Sequence, residues 1–481
     1  MDAAGILMLL VVGGVMIVTG LPTWLVLIGT AAAFAAIGVM IHALPLALLA
    51  SAPSRLIGLL ENDLLQALPL YVLMGALLNR LPMAQTLFRV LTRVLGRSGK
   101  GAPVAALALG AVFAPMNGSV GASVVMLGRT VAPRLASSGL TQARGGAVIA
   151  MASTLGVVIP PSLVLILLGD AMLRAHTEAV NITGRAARII NTQDVFRGAL
   201  VPAAAILVLA LVITWWRSGA STRDAEAVDL RLRPSEAVTA LAVIGGIIAL
   251  LAAVTLGYVY AVEAAAAGGV ALFAYGVATR SIGAAMLRDV LRDTMAVTGA
   301  LFALLVAATM FTLVLRGFGT DRLLARGLTE MGGGTYAPLA ATLVALAACA
   351  FVLDAFEMIF VVIPVLVPPV LVRVPDPVWV AVLVLLILQA SFLVPPFGYA
   401  VLMVRNVLRL RTRVAELVPA LLPYLVAQLI VMAAVLAAPG LLWRPGMTEA
   451  PGASTPAVSD DEAREMMERQ LAPPMPEEPS N

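Results

Sequence analysis

Long stretches without a charged side chain dominate this sequence of 481 residues. A bilayer core of about 30 Å is crossed by about 20 apolar residues in a helix. The apolar stretches are continuous rather than alternating, so they predict membrane helices and not the strands of a membrane barrel. The uncharged runs are residues 3–54, 101–128, 145–169, 198–216, 237–262, 264–279, 294–315, 331–353, 358–372, 377–404 and 417–443.

Composition supports the same class. Charged residues make up 12% of the chain and hydrophobic residues 61%, whereas a soluble domain has about 25% charged residues. A cytosolic enzyme, a disordered chain and a disulfide scaffold are excluded. The predicted fold class is an all-α polytopic membrane protein with roughly 11–14 membrane-embedded elements.

The first uncharged run is long enough for two spans, with break points at Gly20, Pro22 and Pro45. The N-terminus lacks the basic region of a signal peptide, so we interpret it as the first membrane helix. A weaker segment at 64–79 adds a shorter element.

The net charge of +4 is unevenly distributed. Residues 447–481 contain eight acids and two arginines and are rich in Pro and Ser, which predicts a disordered acidic tail. Basic residues concentrate in the connectors, most clearly at Arg89, Arg93, Arg97 and Lys100, which the positive-inside rule places in the cytoplasm.

Several function classes are excluded by what the sequence lacks. It has no nucleotide-binding P-loop, which argues against an ATP-driven pump. Two histidines, His42 and His176, cannot form a histidine-cluster metal site or a Ser-His-Asp set. The single cysteine, Cys349, excludes an internal disulfide. Nothing indicates nucleic-acid binding, an organic cofactor or an enzyme.

An internal repeat relates the two ends of the apolar body. Pro160-Pro161 and Pro395-Pro396 are separated by 235 residues, and the same offset carries Ser119 to Asp354. Upstream, Arg80 and Arg89 correspond to Arg316 and Arg326 at offsets of 236 and 237. Repeated halves are a common build of secondary transporters. We predict N-terminal scaffold helices at 1–59, a first repeat at 60–215, a middle scaffold at 216–294, a second repeat at 295–446 and the tail.

Each Pro-Pro pair should break a membrane helix, because proline removes a backbone donor and clashes with the preceding turn. Unwound backbone at membrane depth can coordinate Na⁺ with its carbonyls, and helix ends can face an anion. The alternative is a kink or a loop at the membrane surface. The repeat favours a binding site for the two related pairs, whereas Pro368-Pro369 is interpreted as a helix end.

The polar residues near these breaks are the candidate ligands. Asn117, Gly118, Ser119 and Ser123 offer small side chains and oxygens suited to Na⁺, although small residues also serve helix packing. An acid such as Asp354 costs about 2.5–3.5 kcal/mol at a membrane helix centre on insertion scales. Asp354 and Glu357 therefore form a binding break or, alternatively, a short loop. Residues flanking the proline pairs could also line a site, namely Thr154, Ser162, Gln389 and Ser391.

Several motifs, in order, resemble the large membrane subunit of tripartite ATP-independent periplasmic (TRAP) transporters. The segments at residues 154–162, 352–364 and 389–398 resemble that family's signatures in the two halves, and the segments at 68–75 and 263–266 resemble its early hairpin and mid-chain segment. The similarity covers about residues 10–440. The details at 118–123, 353–357 and 391–393 resemble the branch for 2-oxo acids, lactate, mannitol or chloroaromatic compounds.

The resemblance implies an ion-transporter-superfamily fold with two inverted repeats, re-entrant hairpins and broken helices that works as an elevator. It implies Na⁺-coupled import of an organic acid that a periplasmic binding protein delivers, in the bacterial inner membrane. A small four-helix membrane subunit, expected as a separate chain, is the other partner. Val394, Val157 and Ala390 stand where branch members carry polar residues, which makes backbone carbonyls the expected cation ligands.

We therefore predict the large subunit of a Na⁺-coupled organic-acid importer. Na⁺ is expected at Ser119, Thr154, Asp354 and Pro395. A stand-alone Na⁺/carboxylate symporter of the same superfamily and a non-transporting membrane scaffold or intramembrane enzyme are the alternatives. The full set expected to bind substrate or cation is Asn117, Gly118, Ser119, Ser123, Thr154, Pro160, Pro161, Asp354, Glu357, Ser391, Pro395, Pro396 and Gly398.

Overall fold

A computed structural model describes most of the apolar body of the chain. Throughout these described residues the regular elements are helices, and all of them belong to one unit that spans Met1–Trp443. The predicted acidic tail and Pro396 lie outside the described residues. The described ranges are 3–61, 63–95, 100–183, 189–218, 234–331, 334–351, 353–374, 376–395, 398–408 and 413–442.

The helices differ in whether they are long enough to cross a bilayer. Within the described ranges, seven are long and apolar enough, and two further pairs qualify together although each is bent. Five shorter apolar helices of 10–17 residues accompany them. The prediction of a polytopic helical protein in which some elements are too short to span is confirmed.

The N-terminal run is interrupted at its predicted break points, with two long helices before Pro45 and shorter helices after it. Gly20 adopts a left-handed φ of 63° and Pro22 immediately precedes the second helix, so the chain turns there. The helices of this N-terminal part are α1 (Ala3–Thr19), α2 (Thr23–Met40), α3 (Leu46–Ala50), α4 (Ala52–Leu60), α5 (Ala67–Arg80) and α6 (Met83–Val94).

Besides the bend of 65° between α5 and α6, the first predicted repeat contains two further helix breaks. A short 3-10 turn, Ala114–Asn117, ends the first helix of one pair, and Pro160-Pro161 separates the helices of the other, which are bent by 40°. The four helices are α7 (Gly101–Phe113), α8 (Val120–Ser137), α9 (Gln142–Val158) and α10 (Leu163–Thr183).

The middle of the chain supplies longer helices. The predicted division between residues 294 and 295 falls inside the longest of them, so that boundary is not a break in the backbone. These helices are α11 (Thr192–Arg217), α12 (Pro234–Leu256), α13 (Ala261–Ala278), α14 (Ala284–Gly317) and α15 (Thr320–Glu330).

The second predicted repeat is again broken twice. The last helices are α16 (Tyr336–Cys349), α17 (Ala355–Glu357), α18 (Ile363–Arg373), α19 (Pro377–Ser391), α20 (Tyr399–Val407) and α21 (Val414–Ala437), with a π-turn, Met358–Val362, joining α17 to α18. Interpreting Pro368-Pro369 as a helix end was wrong, because both prolines lie buried inside α18, which continues to Arg373.

The 235-residue offset holds for the starts of the helices. Adding 235 to the first residue of α7, α8 or α9 gives the first residue of α16, α17 or α19, respectively. Adding it to the first residue of α10 gives the residue directly before the start of α20. It also carries the capping residues Ser119 and Thr141 to Asp354 and Asp376, and all four side chains accept a backbone hydrogen bond at a helix start.

Packing between the halves is crosswise. Helix α8 of the first half contacts α20 of the second, and α10 of the first contacts α18 of the second, while the counterparts α9 and α19 contact each other. A two-fold relation between the halves produces this pattern. It exchanges the two halves and so carries the contact of α8 with α20 onto the contact of α18 with α10. The arrangement brings the broken segments of both halves into one assembly.

Close backbone approaches hold the first broken segment in place. A Cβ added at Gly75 of α5 would lie 2.6 Å from the carbonyl oxygen of Asn117, and one added at Gly156 of α9 would lie 2.4 Å from that of Ala114. Both distances are below any normal carbon–oxygen contact. Glycine at these two positions therefore lets α5 and α9 pack directly against the turn that precedes α8.

Substituting Gly156 with alanine should destabilise the protein, because the new methyl group meets backbone that cannot rotate away. We expect Gly156→Ala to cost about 1–3 kcal/mol, as overpacking does elsewhere. Gly29→Ala on α2 is the matched control, since its added Cβ meets nothing within 4 Å. Thermal unfolding in detergent measures both, and equal Tm values for the two variants would contradict the packing described above.

Candidate functional site

The first break is a sharp turn between Asn117 and Ser119. Gly118 adopts a left-handed φ of 70°, which residues with a side chain rarely adopt. The hydroxyl of Ser119 accepts a hydrogen bond of 3.1 Å from the backbone nitrogen of Ala122 and so caps α8. The free backbone donors at the start of α8 thereby point back toward the turn.

Asn117 and Ser123 form a small polar network inside this turn. The amide nitrogen of Asn117 donates to the Ser123 hydroxyl at 3.1 Å, and that hydroxyl donates to the carbonyl oxygen of Ser119, also at 3.1 Å. The side-chain oxygen of Asn117 is buried without a hydrogen-bond partner. A buried acceptor without a partner lowers the stability of the fold unless a ligand binds to it. This oxygen is therefore a candidate ligand atom.

A cavity lies directly against the turn. Its volume of about 10 Å³ has room for about one particle the size of a water molecule. Gly118 and Ser119 form one wall, and α9 forms the opposite wall. The residues that line it are Ala114, Pro115, Gly118, Ser119, Val120, Ser153, Gly156, Val157, Leu163 and Val164.

Thr154 was predicted to join this site, but it is not among the residues that line the cavity. Its side chain is fully buried and its hydroxyl donates to the carbonyl oxygen of Met151 at 2.9 Å. The neighbouring Ser153 lines the cavity instead and donates to the carbonyl of Ile149 at 2.7 Å. Thr154 lies on the helix that lines the cavity, and the rotation of α9 decides which of the two neighbouring hydroxyls faces the break.

The first proline pair lies just beyond the same helix. Pro160 and Pro161 are buried, and α9 ends two residues before them. Ser162 bridges the gap, because its hydroxyl donates to the carbonyl of Val157 at 3.3 Å and accepts from the backbone nitrogen of Leu165 at 3.2 Å. The break therefore has a polar side chain that satisfies backbone groups on both sides.

The break in the second half is capped by a pair of carboxylates. Asp354 accepts from the backbone nitrogen of Glu357 at 2.9 Å, and Glu357 accepts from that of Asp354 at 2.9 Å, which is a reciprocal capping box. Glu357 also accepts a hydrogen bond from the hydroxyl of Thr23 on α2. The two acids thus mark the start of a helix at a break rather than one face of a continuous helix.

The second proline break is tightly folded. The hydroxyl of Ser391 donates to the carbonyl of Leu388 at 2.7 Å, and Pro395 is half-buried. The backbone nitrogen of Gly398 donates to the carbonyl of Val394 at 2.8 Å. A Cβ at Gly398 would lie 2.6 Å from the carbonyl oxygen of Phe392, so the loop closes on itself there.

Gln389 is an unusual residue in the second half. It is fully buried, and neither its side-chain oxygen nor its nitrogen has a hydrogen-bond partner. It lies 235 residues after Thr154, so both halves carry a buried polar residue at the same place in the helix before the proline break. The sequence named Gln389 only as a flanking residue, because the missing partners are visible only in three dimensions.

Tyr399 connects the two halves, and no sequence pattern pointed to it. It begins α20, and a Cβ added at Gly121 of α8 would lie 2.7 Å from its hydroxyl. Tyr399 also lies within electrostatic range of Asp354 and packs edge-on against Phe392. One side chain therefore contacts the helix that follows the first break and lies near the acid of the second.

The donor set decides what the site can bind. In the described part of the chain, no group of three or more His, Cys, Asp or Glu side chains could hold a metal ion. The oxygens near the breaks belong to amides, hydroxyls, backbone carbonyls and the carboxylates of Asp354 and Glu357, a set that suits a hard monovalent cation better than a transition metal. The helix start capped by Ser119 carries the partial positive charge that favours an anion, whereas the two carboxylates already place negative charge at the start of α17.

Comparisons with known proteins agree with this architecture. The family model for the tripartite ATP-independent periplasmic transporter, DctM component, matches residues 7–441. The C4-dicarboxylate TRAP transporter large permease protein DctM of Rhodobacter capsulatus is 23% identical over 385 residues, which is 77% of this chain and 84% of that protein. The ectoine TRAP transporter large permease protein TeaC of Halomonas elongata is 25% identical over 338 residues, which is 69% of this chain and 74% of that protein.

A solved structure supports the fold as well. The YdaH transporter of Alcanivorax borkumensis is similar with a TM-score of 0.63 at 17% sequence identity, covering 83% of this chain and 89% of its own. The family model spans nearly the whole apolar body, including both pairs of breaks. The chain therefore belongs to the DctM family, the large permease components of tripartite ATP-independent periplasmic transporters, and is a multi-pass inner-membrane transport protein rather than an enzyme.

Proposed function

We propose that this permease imports an organic acid together with Na⁺. The observation that carries the proposal is the meeting of two pairs of broken helices from related halves, with a buried unpaired oxygen on Asn117 and an acid, Asp354, at equivalent breaks. Broken helices at a repeat interface are where secondary transporters place substrate and coupling ions.

Na⁺ would bind on the oxygen-rich side of each break. In the first half, Gly118 and Ser119 line the cavity and Asn117 directly precedes them, and the three residues offer carbonyl, hydroxyl and amide oxygens. In the second half, Asp354 supplies a carboxylate, and Pro395 lies where a proline frees a backbone carbonyl. The hydroxyl of Thr154 donates to the carbonyl of Met151, which leaves its oxygen lone pairs able to coordinate Na⁺. Ser391 and Gly398 would shape the second site.

The organic acid would bind at the helix start that has a neutral cap. The first turn of α8, capped by Ser119, presents free backbone N–H groups and the positive end of its helix dipole, which favour a carboxylate. C4-dicarboxylates, the substrates in the name of the Rhodobacter capsulatus relative, are organic acids. A C4-dicarboxylate, lactate or a 2-oxo acid is the substrate class that we propose, with Ser123 and Pro160-Pro161 supporting its site.

Coupling would arise because bound Na⁺ lowers the free energy of the conformation that holds substrate. A ligand shifts an equilibrium only by its difference in affinity for the two states. The negative charge of Asp354 and that of the substrate would both be compensated by the cation. Substrate affinity would therefore fall when Na⁺ is absent.

Transport would proceed as an elevator in which the broken helices move against the remaining helices. Two contacts would then join the moving and fixed parts. Thr23 of α2 donates to Glu357, and Arg316 of α14 forms an ion pair of 2.8 Å with Glu178 of α10. Arg316 also donates to the carbonyl of Pro364 at 3.1 Å.

The family's transporters have three parts, so this permease works with a small membrane subunit and a periplasmic binding protein. We propose that both are separate chains and that the small subunit has four helices. A stand-alone symporter and a non-transporting scaffold remain the competing functions, and the experiment below separates them.

Uptake into proteoliposomes tests the proposal directly. The permease, reconstituted with its small subunit and given its binding protein, should take up a labelled C4-dicarboxylate, lactate or 2-oxo acid when Na⁺ is higher outside. Equal Na⁺ on both sides, or K⁺ in its place, should abolish accumulation. Accumulation without a Na⁺ gradient would contradict the coupling, accumulation without the binding protein would favour a stand-alone symporter, and no uptake of any acid would favour a scaffold.

Removing the charge of Asp354 should weaken Na⁺ binding while leaving the helix capped, because Asn caps a helix about as well as Asp. We expect Asp354→Asn to raise the Na⁺ concentration for half-maximal uptake more than tenfold. Asp376→Asn is the matched control, since Asp376 caps α19 with a bond of 3.0 Å to the nitrogen of Trp379. The same Na⁺ dependence in both variants would argue against a cation site at Asp354.

Removing the hydroxyl of Ser119 should affect both stability and coupling. Loss of a capping side chain costs about 1 kcal/mol of stability, and Ser119→Ala should also raise the Na⁺ requirement for uptake. Asn191→Ala removes the cap of α11, where the Asn191 oxygen accepts at 2.8 Å from the nitrogen of Asp194, and should affect stability alone. Thermal unfolding and Na⁺-dependent uptake of both variants separate capping from binding.

A further inference from the structure

A second cleft lies at the end of α9 opposite the proline break. There the first turns of α9 and α21 meet the last turns of α11. We name it the α9–α11–α21 cleft. Its open volume is about 570 Å³, much larger than the cavity at the first break. It is lined by Thr141, Gln142, Ala143, Arg144, Arg217, Glu416, Pro419 and Ala420.

Two arginines face each other across this cleft. Arg144 donates to the backbone carbonyl of Arg217 at 3.4 Å, and Arg217 donates to the backbone carbonyl of Pro419 at 3.2 Å. A carbonyl orients a guanidinium but does not neutralise its charge. Glu416 is the carboxylate in the lining, so the two positive charges exceed the one negative charge, and each guanidinium retains N–H groups that can bind phosphate oxygens.

The cleft opens at a membrane interface. Trp215 and Trp216 precede Arg217 on α11 and are 47% and 85% exposed, as expected for the aromatic belt at the level of lipid headgroups. The ammonium group of Lys100 lies 5.2 Å from the centre of the Trp215 ring. Lys100 belongs to the basic cluster of the sequence, so the cleft lies on the side that the positive-inside rule makes cytoplasmic.

Outside the lining, the two membrane helices of the cleft carry exposed apolar side chains. Val212 of α11 is 52% exposed, and Val418 and Leu422 of α21 are 40% and 52% exposed. Val418 and Leu422 are four residues apart and so share one face of α21. The acyl chains of a molecule held by the arginines could therefore lie along the outer faces of α11 and α21.

We propose that the α9–α11–α21 cleft binds an anionic phospholipid, with its phosphate on Arg144 and Arg217 and its acyl chains along the exposed faces of α11 and α21. Basic pockets between membrane helices on the cytoplasmic side are suited to such headgroups. Soluble phosphate would satisfy the same guanidinium groups but would leave the exposed tryptophans and the exposed apolar side chains of α11 and α21 without a role. The combination favours a lipid over a free anion.

A lipid in this cleft would contact the start of α9, the helix that leads to the first cavity. That helix starts at the cleft and ends at Val158, directly before the proline break, and carries Ser153 and Gly156 of the first cavity along its length. The lipid would join the start of α9 to α11 and α21. A stabilising effect on the folded permease follows, since a ligand that binds only the folded state raises its stability.

The test uses the full-length permease, purified and delipidated in a neutral detergent. Titration with phosphatidylglycerol or cardiolipin should raise Tm, whereas phosphatidylcholine should not. A basic residue near an anionic lipid surface contributes about fivefold to affinity, so Arg144→Gln with Arg217→Gln should weaken the apparent affinity about thirtyfold. Arg288→Gln with Arg292→Gln removes the same charge from exposed positions on α14 and should leave the lipid response unchanged.

Further experiments distinguish a lipid from a free phosphate and control for misfolding of the variants. Inorganic phosphate and glycerol phosphate should raise Tm little, and a response to them equal to that of phosphatidylglycerol would overturn the lipid assignment. Equal responses to phosphatidylcholine and phosphatidylglycerol, or equal loss in both double variants, would overturn it as well. If the double variant does not fold, Arg144→Gln alone is used, since Arg144 is exposed, and native mass spectrometry compares the lipids retained by the wild-type chain.

Discussion

The structure depends on satisfying backbone groups where helices break between other apolar helices. A buried N–H or carbonyl without a partner costs several kcal/mol in a hydrocarbon environment, so a broken membrane helix persists only if side chains replace the lost bonds. Ser119, Ser162 and Asp354 do this at three breaks, each accepting from a backbone nitrogen at a helix start. The same residues leave other backbone groups pointed into the breaks, which is what a binding site requires.

The two halves cap their equivalent helix starts with different side chains. Serine caps the first break and a carboxylate pair caps the second, although the positions are equivalent by the repeat. A neutral cap costs little to bury, whereas two acids close together repel each other and gain from a cation or from donors such as the Thr23 hydroxyl. This difference accounts for the hydrogen bond from Thr23 of α2 to Glu357 at the second break, whereas α5 contacts the first break through backbone packing at Gly75.

Much of this organisation follows from the sequence, and the exceptions have physical causes. The uncharged runs predict the helices, and the offset between the proline pairs predicts which breaks correspond, because both depend on composition and spacing along the chain. Ser153 rather than Thr154 lines the cavity because of the rotation of α9 about its axis. Close packing at Gly156 fixes that rotation. Tyr399 was missed because its role depends on the crosswise contact of α20 with α8. Pro368-Pro369 was misjudged because burial inside α18 outweighs the local preference of proline for helix ends.

The repeat-related arginines hold different helices. Arg80 binds Asp289 at 3.2 Å and also Asp293, both on α14, whereas its counterpart Arg316 binds Glu178 on α10 and a carbonyl of α18. The residue 235 positions after Glu178 is Arg413, so the sequence does not offer Arg80 a corresponding acidic partner. Of these two arginines, Arg316 reaches helices that follow the breaks, so the contacts that hold those helices differ between the halves. An alternating movement of the broken helices would need such an inequality, because a symmetric set of contacts could not distinguish one end state from the other.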